Sequence, residues 1–281
     1  MDWRKAVNTL IISFILLNVF LVFNLWDKNR PESGFKLSQQ QQHDITEMLK
    51  QKGITVETEI PEDGEPQAFL EIGYDKIDKQ SVVEAFLGKG IRVQEYGIDG
   101  GNNYINGDKQ LIVMDNGIIS FFDKSNKARD LNLNEDEARI LAEEFMIKHT
   151  GIPQNAILYG IAYEQKGEGY LVEYIQTHDG FLIANSYMDI LVTPSGVKSF
   201  YQCWLNPYGY KGRKKTVIPP LTAIMRVADE STSPLTITRI QQGYYSKLYD
   251  AEKWQAAPVW IIHTKDESKY YVNAYTGELE Q

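Results

Sequence analysis

Residues 170–204 read YLVEYIQTHDGFLIANSYMDILVTPSGVKSFYQCW, and this stretch indicates the fold class. The runs 170–176, 187–192 and 197–204 are rich in apolar, aromatic and β-branched residues, as strands are. Turn-forming residues separate these runs, at His178-Asp179-Gly180 and at Pro194-Ser195-Gly196. A fourth run, 157–163, precedes them. The stretch therefore predicts a meander of antiparallel strands.

Helix signals lie on both sides of this meander. Asn134 and Glu137 have the spacing of a capping box, and apolar residues follow at helical intervals until Gly151. Pro219 and Pro220 open a helix after the meander, and further strands are predicted at 235–241, 259–264 and 270–274. Helices that alternate with antiparallel strands predict an α+β fold.

The preceding part of the chain contains the same kinds of element. A helix is predicted after Ser38 and another at Asp78, with strands at 54–60, 67–74 and 91–96. A loop rich in glycine and asparagine runs through Gly107, and a hairpin turns at Asn116-Gly117. The polar segment 125–129 suggests a boundary, so we predict two α+β domains, 37–125 and 130–281.

The segment 6–26 predicts a membrane anchor. It contains no charged residue over 21 positions, and 14 of these are Leu, Ile, Val or Phe. Such a helix is long enough to cross the hydrocarbon core of a bilayer. No small-x-small cleavage site follows it, so we expect the anchor to be retained. Residues 1–5 form a short tail and residues 27–36 a polar stalk.

The orientation of the anchor and one of its faces can also be predicted. A short leading tail with a long body behind it favours a cytoplasmic N-terminus and a body on the outer face, although a cytoplasmic body stays open because the flanking basic residues discriminate weakly. Asn18 is the polar member of one helical stripe, and its amide favours contact with a second membrane helix. This partner face consists of Val7, Ile11, Phe14, Asn18, Leu21 and Leu25.

Composition and motifs argue against several classes of function. The net charge is −9, and an acidic chain would be repelled by nucleic acid. The single cysteine, Cys203, excludes an intrachain disulfide and a cysteine-based zinc cluster, and we interpret it as a packed strand residue. No nucleophile elbow, phosphate loop or zinc-protease motif is present. We therefore predict no catalytic residues, no metal site and no cofactor.

The basic cluster Lys211-Gly212-Arg213-Lys214-Lys215 is interpreted as an exposed connector, with contact to an anionic surface as the alternative.

Several passages resemble the YycI proteins of Gram-positive bacteria. The first is the opening Met1-Asp2-Trp3 before a single anchor helix, and the second begins with 170–183 and continues through Ser195-Gly196-Val197. The others are C-terminal: Gly243-Tyr244-Tyr245, Ala257-Pro258-Val259-Trp260 and 270–278. The ending Asn273-Ala274-Tyr275-Thr276-Gly277-Glu278 also resembles PepSY modules, which implies a PepSY-like C-terminal hairpin.

The resemblance implies a regulator and not an enzyme. YycI and the related YycH are accessory proteins of the sensor histidine kinase that controls cell-wall metabolism, and they contact that kinase partly through membrane helices. The expected partners are therefore a sensor histidine kinase, a YycH-like protein and membrane lipid through residues 6–26. The alternative is a PepSY-like extracytoplasmic inhibitor or a module that binds a cell-wall ligand.

Overall fold

A computed structural model describes residues 39–90, 93–125, 133–231 and 233–280. The predicted tail 1–5, anchor 6–26 and stalk 27–36 lie outside these residues, as does the predicted partner face. Within the described ranges, no helix combines the length and the apolar character needed to cross a bilayer.

The described residues form four helices and fourteen strands, which confirms the predicted α+β class. The helices are α1 Gln39–Gln51, α2 Lys79–Leu87, α3 Glu135–His149 and α4 Pro220–Glu230. The strands are β1 Ile54–Val56, β2 Gln67–Tyr74, β3 Gln94–Ile98, β4 Gly101–Asn106, β5 Lys109–Met114, β6 Ile119–Asp123, β7 Ala156–Glu164, β8 Gly169–His178, β9 Phe181–Thr193, β10 Gly196–Cys203, β11 Leu205–Lys215, β12 Leu235–Tyr245, β13 Trp254–Thr264 and β14 Lys269–Asn273.

All fourteen strands belong to one large sheet, which is antiparallel except where β12 pairs with β1 and β9. Its main path runs β11-β2-β13-β12-β9-β10-β6-β5-β4-β3. Strand β8 also pairs with β9, β7 pairs with β8, and β14 pairs with β13. We call β3–β10 the first half-sheet and β1, β2 and β11–β14 the second half-sheet.

Strand β9 joins the two half-sheets. Its first part pairs with β12 at Leu182 and Ile183, and its last part pairs with β10 from Tyr187 onward. Between these parts, residues 184–186 interrupt the register with β8. Such an insertion bends and twists a strand. Strand β12 pairs with the part of β9 before this interruption, and β10 pairs with the part after it. The sheet therefore divides at the interruption.

Each half-sheet has its own apolar core beneath helices. The first core packs α2 and α3 against the first half-sheet around Phe86, Met146 and Phe200, all of which are buried. The second packs α1 and α4 against the second half-sheet around Leu49 and Trp260. Two smaller clusters join the half-sheets, one containing Ile183 with Leu70 and the other containing Leu182 with Val259.

The start of α3 confirms the predicted capping box. The Asn134 side chain accepts from the Glu137 backbone N–H at 3.0 Å, and the Glu137 carboxylate accepts from the Asn134 N–H at 3.1 Å. These bonds satisfy two backbone donors that the helix itself leaves unpaired.

We expect Asn134→Ala to lower the free energy of unfolding by about 1 kcal/mol, because alanine lacks the side-chain oxygen that accepts from the Glu137 N–H. Urea unfolding followed by circular dichroism measures this loss. Asn134→Ser is the matched control and should retain most of the stability. Equal stability of the alanine and serine variants would contradict this account of the cap.

Two local predictions were wrong. The segment predicted as a glycine- and asparagine-rich loop contains β4, whose residue Tyr104 is buried on the first core. The basic cluster 211–215 is the end of strand β11 and not a connector, because Lys211 pairs with Phe69 of β2 in the ladder. In both cases a partner strand supplies backbone hydrogen bonds that the local composition does not indicate.

The division into domains 37–125 and 130–281 stays a prediction. Strands on both sides of this division pair within the common sheet: β6 with β10, β2 with β11 and β13, and β1 with β12. Strands β13 and β14 form the C-terminal hairpin, whose resemblance to PepSY modules also stays a prediction.

Candidate functional site

A cleft of about 540 Å³ is lined by residues of both half-sheets. The edge strand β7 forms one wall and strands β12 to β14 form the other, while β8 and β9 contribute residues between them. This volume lies within the range of small-ligand sites. Most of the lining residues are of polar or charged types, among them Tyr159, Glu173, Asp189, Arg239, His263 and Lys269.

Tyr159 connects the two walls because a β-bulge turns it away from the ladder. Leu158 pairs with Tyr174 and Gly160 pairs with Glu173, which leaves Tyr159 as the extra residue. Bulges commonly redirect a side chain in this way. The Tyr159 hydroxyl lies 2.6 Å from His263 Nε2, and the Tyr159 carbonyl accepts from Arg239 at 3.2 Å. The Arg239 guanidinium also stacks 4.6 Å from the Tyr159 ring centroid.

His263 is held in its neutral form. Burial lowers its pKa to about 4, and the positive charges of Lys269 and Arg239 act in the same direction. In the neutral tautomer that carries its proton on Nδ1, His263 accepts at Nε2 from the Tyr159 hydroxyl, which in turn accepts from Gln241 Nε2 at 2.5 Å. The hydroxyl therefore uses its donor and one acceptor position to join β7 to β12 and β13.

A second polar group lies between the walls. Glu173 of β8 and Asp189 of β9 are cross-strand partners, and Lys269 of β14 donates to Glu173 at 2.5 Å. Burial and the neighbouring charge of Glu173 together raise the pKa of Asp189 to about 6, although the charge of Lys269 acts in the opposite direction. The Oδ1 atom of Asp189 is buried without a hydrogen-bond partner among the described residues. This carboxylate is therefore poorly compensated when it is ionised.

His263 and Asp189 influence stability in opposite directions. The folded pKa of His263 lies below its ordinary value of 6.5, so its contribution to stability is present above that pH and decreases towards about pH 4. The folded pKa of Asp189 lies above its ordinary value of 3.8, so its contribution is present at low pH and is lost as pH rises through about 6. The two contributions oppose each other between these limits.

We expect single substitutions to expose each contribution. With Asp189→Asn, the free energy of unfolding should rise more steeply with pH than in the unmodified protein between about pH 4 and pH 6. With His263→Gln, it should rise less steeply or fall, because the Asp189 contribution is no longer opposed. Urea unfolding at several pH values measures both slopes, and slopes that change in the same direction would contradict the assignment.

The structure also places several polar residues outside the cleft. His149 stacks on Phe145 with ring centroids 4.1 Å apart, while Asp179 accepts from the Tyr210 hydroxyl at 2.9 Å. Cys203 is buried, and burial raises the pKa of its thiol to about 12, which agrees with a packed residue. Of the basic cluster, Lys211 is paired with Glu71 at 3.0 Å. No group of three or more His, Cys, Asp or Glu residues with metal-binding geometry occurs within the described ranges.

The cleft itself was not predicted from the sequence. Its residues come from strands up to about a hundred positions apart, for example Tyr159 and His263 at a separation of 104. One signal was present: Glu173 and Asp189 interrupt otherwise apolar runs, and a charged residue on a strand face needs a partner or a polar environment.

Comparisons with known proteins agree on the family and the fold. The YycI protein family model matches residues 32–275. A search of curated proteins found no significant match. Among solved structures, an uncharacterized protein from Eubacterium rectale is similar, with a TM-score of 0.55 at 10% identity, and the alignment covers 82% of this chain and 91% of that chain. This likeness concerns the fold alone. Because the family match spans most of the sequence, the chain belongs to the YycI family.

Proposed function

We propose that the protein is a non-enzymatic regulator of a sensor histidine kinase that controls cell-wall metabolism. Membership of the YycI family carries this proposal, because the family is known for accessory regulators rather than enzymes. The proposal places residues 6–26 in the cell membrane, with the N-terminus cytoplasmic and the α+β body on the outer face. A YycH-like protein and the kinase are the proposed partners.

The proposed mechanism uses the anchor as the contact with the kinase. The stripe of Val7, Ile11, Phe14, Asn18, Leu21 and Leu25 would pack against a kinase membrane helix, with Asn18 supplying an interhelical hydrogen bond. A coupling free energy of about 1–3 kcal/mol between two kinase states corresponds to a 5–150-fold change in their ratio. The body would bias this packing through contacts outside the membrane.

Affinity capture of the full-length protein from membranes tests the proposal. We expect a sensor histidine kinase to be recovered with the unmodified protein, and less kinase with Asn18→Leu. The matched control is Asn8→Leu, which changes the same residue type in the same segment but off the stripe. Failure to recover a kinase with the unmodified protein would contradict the regulatory role, while equal recovery with Asn18→Leu would contradict the role of the stripe.

The cleft supports a second candidate function, a module that binds an extracytoplasmic ligand. Its volume and its polar lining are the observations that favour this alternative. The two functions differ in their dependence on the anchor. Replacing residues 6–26 by an unrelated membrane helix should alter kinase signalling if the anchor makes the contact, whereas a ligand-binding module should retain its ligand.

A further inference from the structure

The charged residues of the cleft are unequally compensated. Two of the three basic side chains that line it are paired with carboxylates, Lys269 with Glu173 at 2.5 Å and Lys265 with Glu57 at 3.2 Å. The third, Arg239, donates to the Tyr159 carbonyl. Of the acidic residues in the lining, Glu164, Asp189 and Glu267 form no ion pair with a basic residue in the part of the chain that the structure describes. The cleft therefore presents an excess of uncompensated negative charge.

Asp189 is the group with the greatest need of a partner. It lies between the walls on β9, it is partly buried, and its Oδ1 atom has no hydrogen-bond donor among the described residues. The charge of Lys269 lowers the pKa of Asp189, but the ammonium group itself is bound to Glu173. A positively charged donor that entered the cleft would compensate this carboxylate without displacing an existing ion pair.

The apolar part of the lining defines the shape of such a ligand. Tyr163 is 58% exposed and packs edge-on against Tyr170, with ring centroids 5.3 Å apart. Tyr163 and Leu171 line the cleft together with Asp189. An alkyl stem could lie against these side chains while a charged group at its end reaches the carboxylate, as lysine side chains do at protein surfaces.

We propose that this cleft binds a primary ammonium group on a short alkyl stem, with Asp189 as the anionic partner and Tyr163 and Leu171 as the apolar surface. The ligand can be a free diamine or a lysine side chain of a peptide, since both carry the same chemical group. This site is independent of the proposed contact with the kinase, because it lies in the α+β body and not in residues 6–26.

Isothermal titration calorimetry with the full-length protein in detergent tests the proposal. The probes are cadaverine and Nα-acetyl-lysine-N-methylamide, and the neutral control is Nα-acetyl-norleucine-N-methylamide. We expect at least one of the two amines to bind and the neutral analogue not to bind. Preferential binding of cadaverine would identify a free amine as the ligand, and preferential binding of the lysine derivative a peptide. Absence of binding by both amines, or equal binding of the norleucine analogue, would overturn the proposal.

Variants locate the binding group. Asp189→Asn should weaken amine binding by about tenfold or more, because it removes the charge but keeps the side-chain size. The matched control is Asp63→Asn, which removes an exposed carboxylate that does not line the cleft. A second variant, Tyr163→Ser, tests the apolar contact at an exposed position where folding is not at risk. Full affinity in both Asp189→Asn and Tyr163→Ser would overturn the assignment of the cleft.

The pH dependence of binding gives an independent readout. The pKa of Asp189 is raised to about 6 by burial and by Glu173, so the carboxylate is mostly protonated at pH 5. Amine affinity should therefore fall about tenfold from pH 7 to pH 5. The Asp189→Asn variant should show no such fall, and a fall of equal size in that variant would contradict the role of Asp189.

Discussion

Replacing Trp260 by alanine is expected to lower the free energy of unfolding by about 3–5 kcal/mol. Trp260 is 1% exposed and lies in the second core, where β13 meets α4 and β14. Its indole Nε1 donates to the Ile218 carbonyl at 2.9 Å, so the substitution removes a hydrogen bond as well as apolar contacts. Because folded domains are stable by only about 5–15 kcal/mol, this loss is a large part of the total.

Urea unfolding of the full-length chain, followed by circular dichroism, measures the effect of Trp260→Ala. Trp260→Phe is the matched control. It keeps most of the ring but leaves the Ile218 carbonyl without its donor, so a loss of about 1–2 kcal/mol is expected. A loss below about 1 kcal/mol in the alanine variant would show that the second core does not depend on this residue.

Replacing Gly169 by alanine is expected to cost about 2 kcal/mol or more, because the strands would have to separate. A Cβ atom at Gly169 would lie 2.2 Å from the Val192 carbonyl oxygen and 2.9 Å from the Val192 carbonyl carbon. These are backbone atoms of the neighbouring strand β9 and cannot move aside as a flexible side chain could. Gly169 is buried at the start of β8, so no solvent-facing space can accommodate the methyl group.

The neighbouring strand β7 contains a matched control for Gly169→Ala. Gly160 of β7 also lies in a strand that pairs with β8, and a Cβ atom there would meet no heavy atom within 4 Å. We expect Gly160→Ala to be neutral or slightly stabilising, because alanine loses less backbone entropy than glycine on folding. Thermal unfolding of both variants makes the comparison, and similar midpoints would contradict the predicted steric cost.

Local sequence signals predicted the helices and strands of the fold, but not which strands pair with one another. The capping box at Asn134, the helix after Pro219 and the strands of the meander were all predicted, because caps, proline positions and apolar runs act over a few residues. The pairing of β1 with β12 was not predicted, since it joins Ile54 to Leu235 and no local pattern encodes a contact of that sequence separation. Strand β4 was missed because its stability comes from β3 and β5 on either side.

The candidate site was less accessible to sequence reasoning than the fold. Tyr159 and His263 are unremarkable in their own segments, and Asp189 stands out only as a charge within an apolar run. The three residues come together from β7, β9 and β13, which no local pattern indicates. The bulge at Tyr159 is followed directly by Gly160, and a glycine inside a strand often marks a bulge, but this signal does not show which residues Tyr159 would contact. The predicted partner face around Asn18 lies outside the described residues and stays a prediction.

The pairing of early with late strands has a consequence for the kinetics of folding. Strand β2 is bordered by β11 and β13, which are synthesised more than a hundred residues later. Contacts between distant parts of a chain form slowly, because a long loop must close before they contribute. Both edges of β2 lack their partners until β11 emerges, and one edge still lacks its partner until β13 follows. Unpaired strand edges favour aggregation. The growing chain therefore depends on protection of β2 until its last fifth has been made.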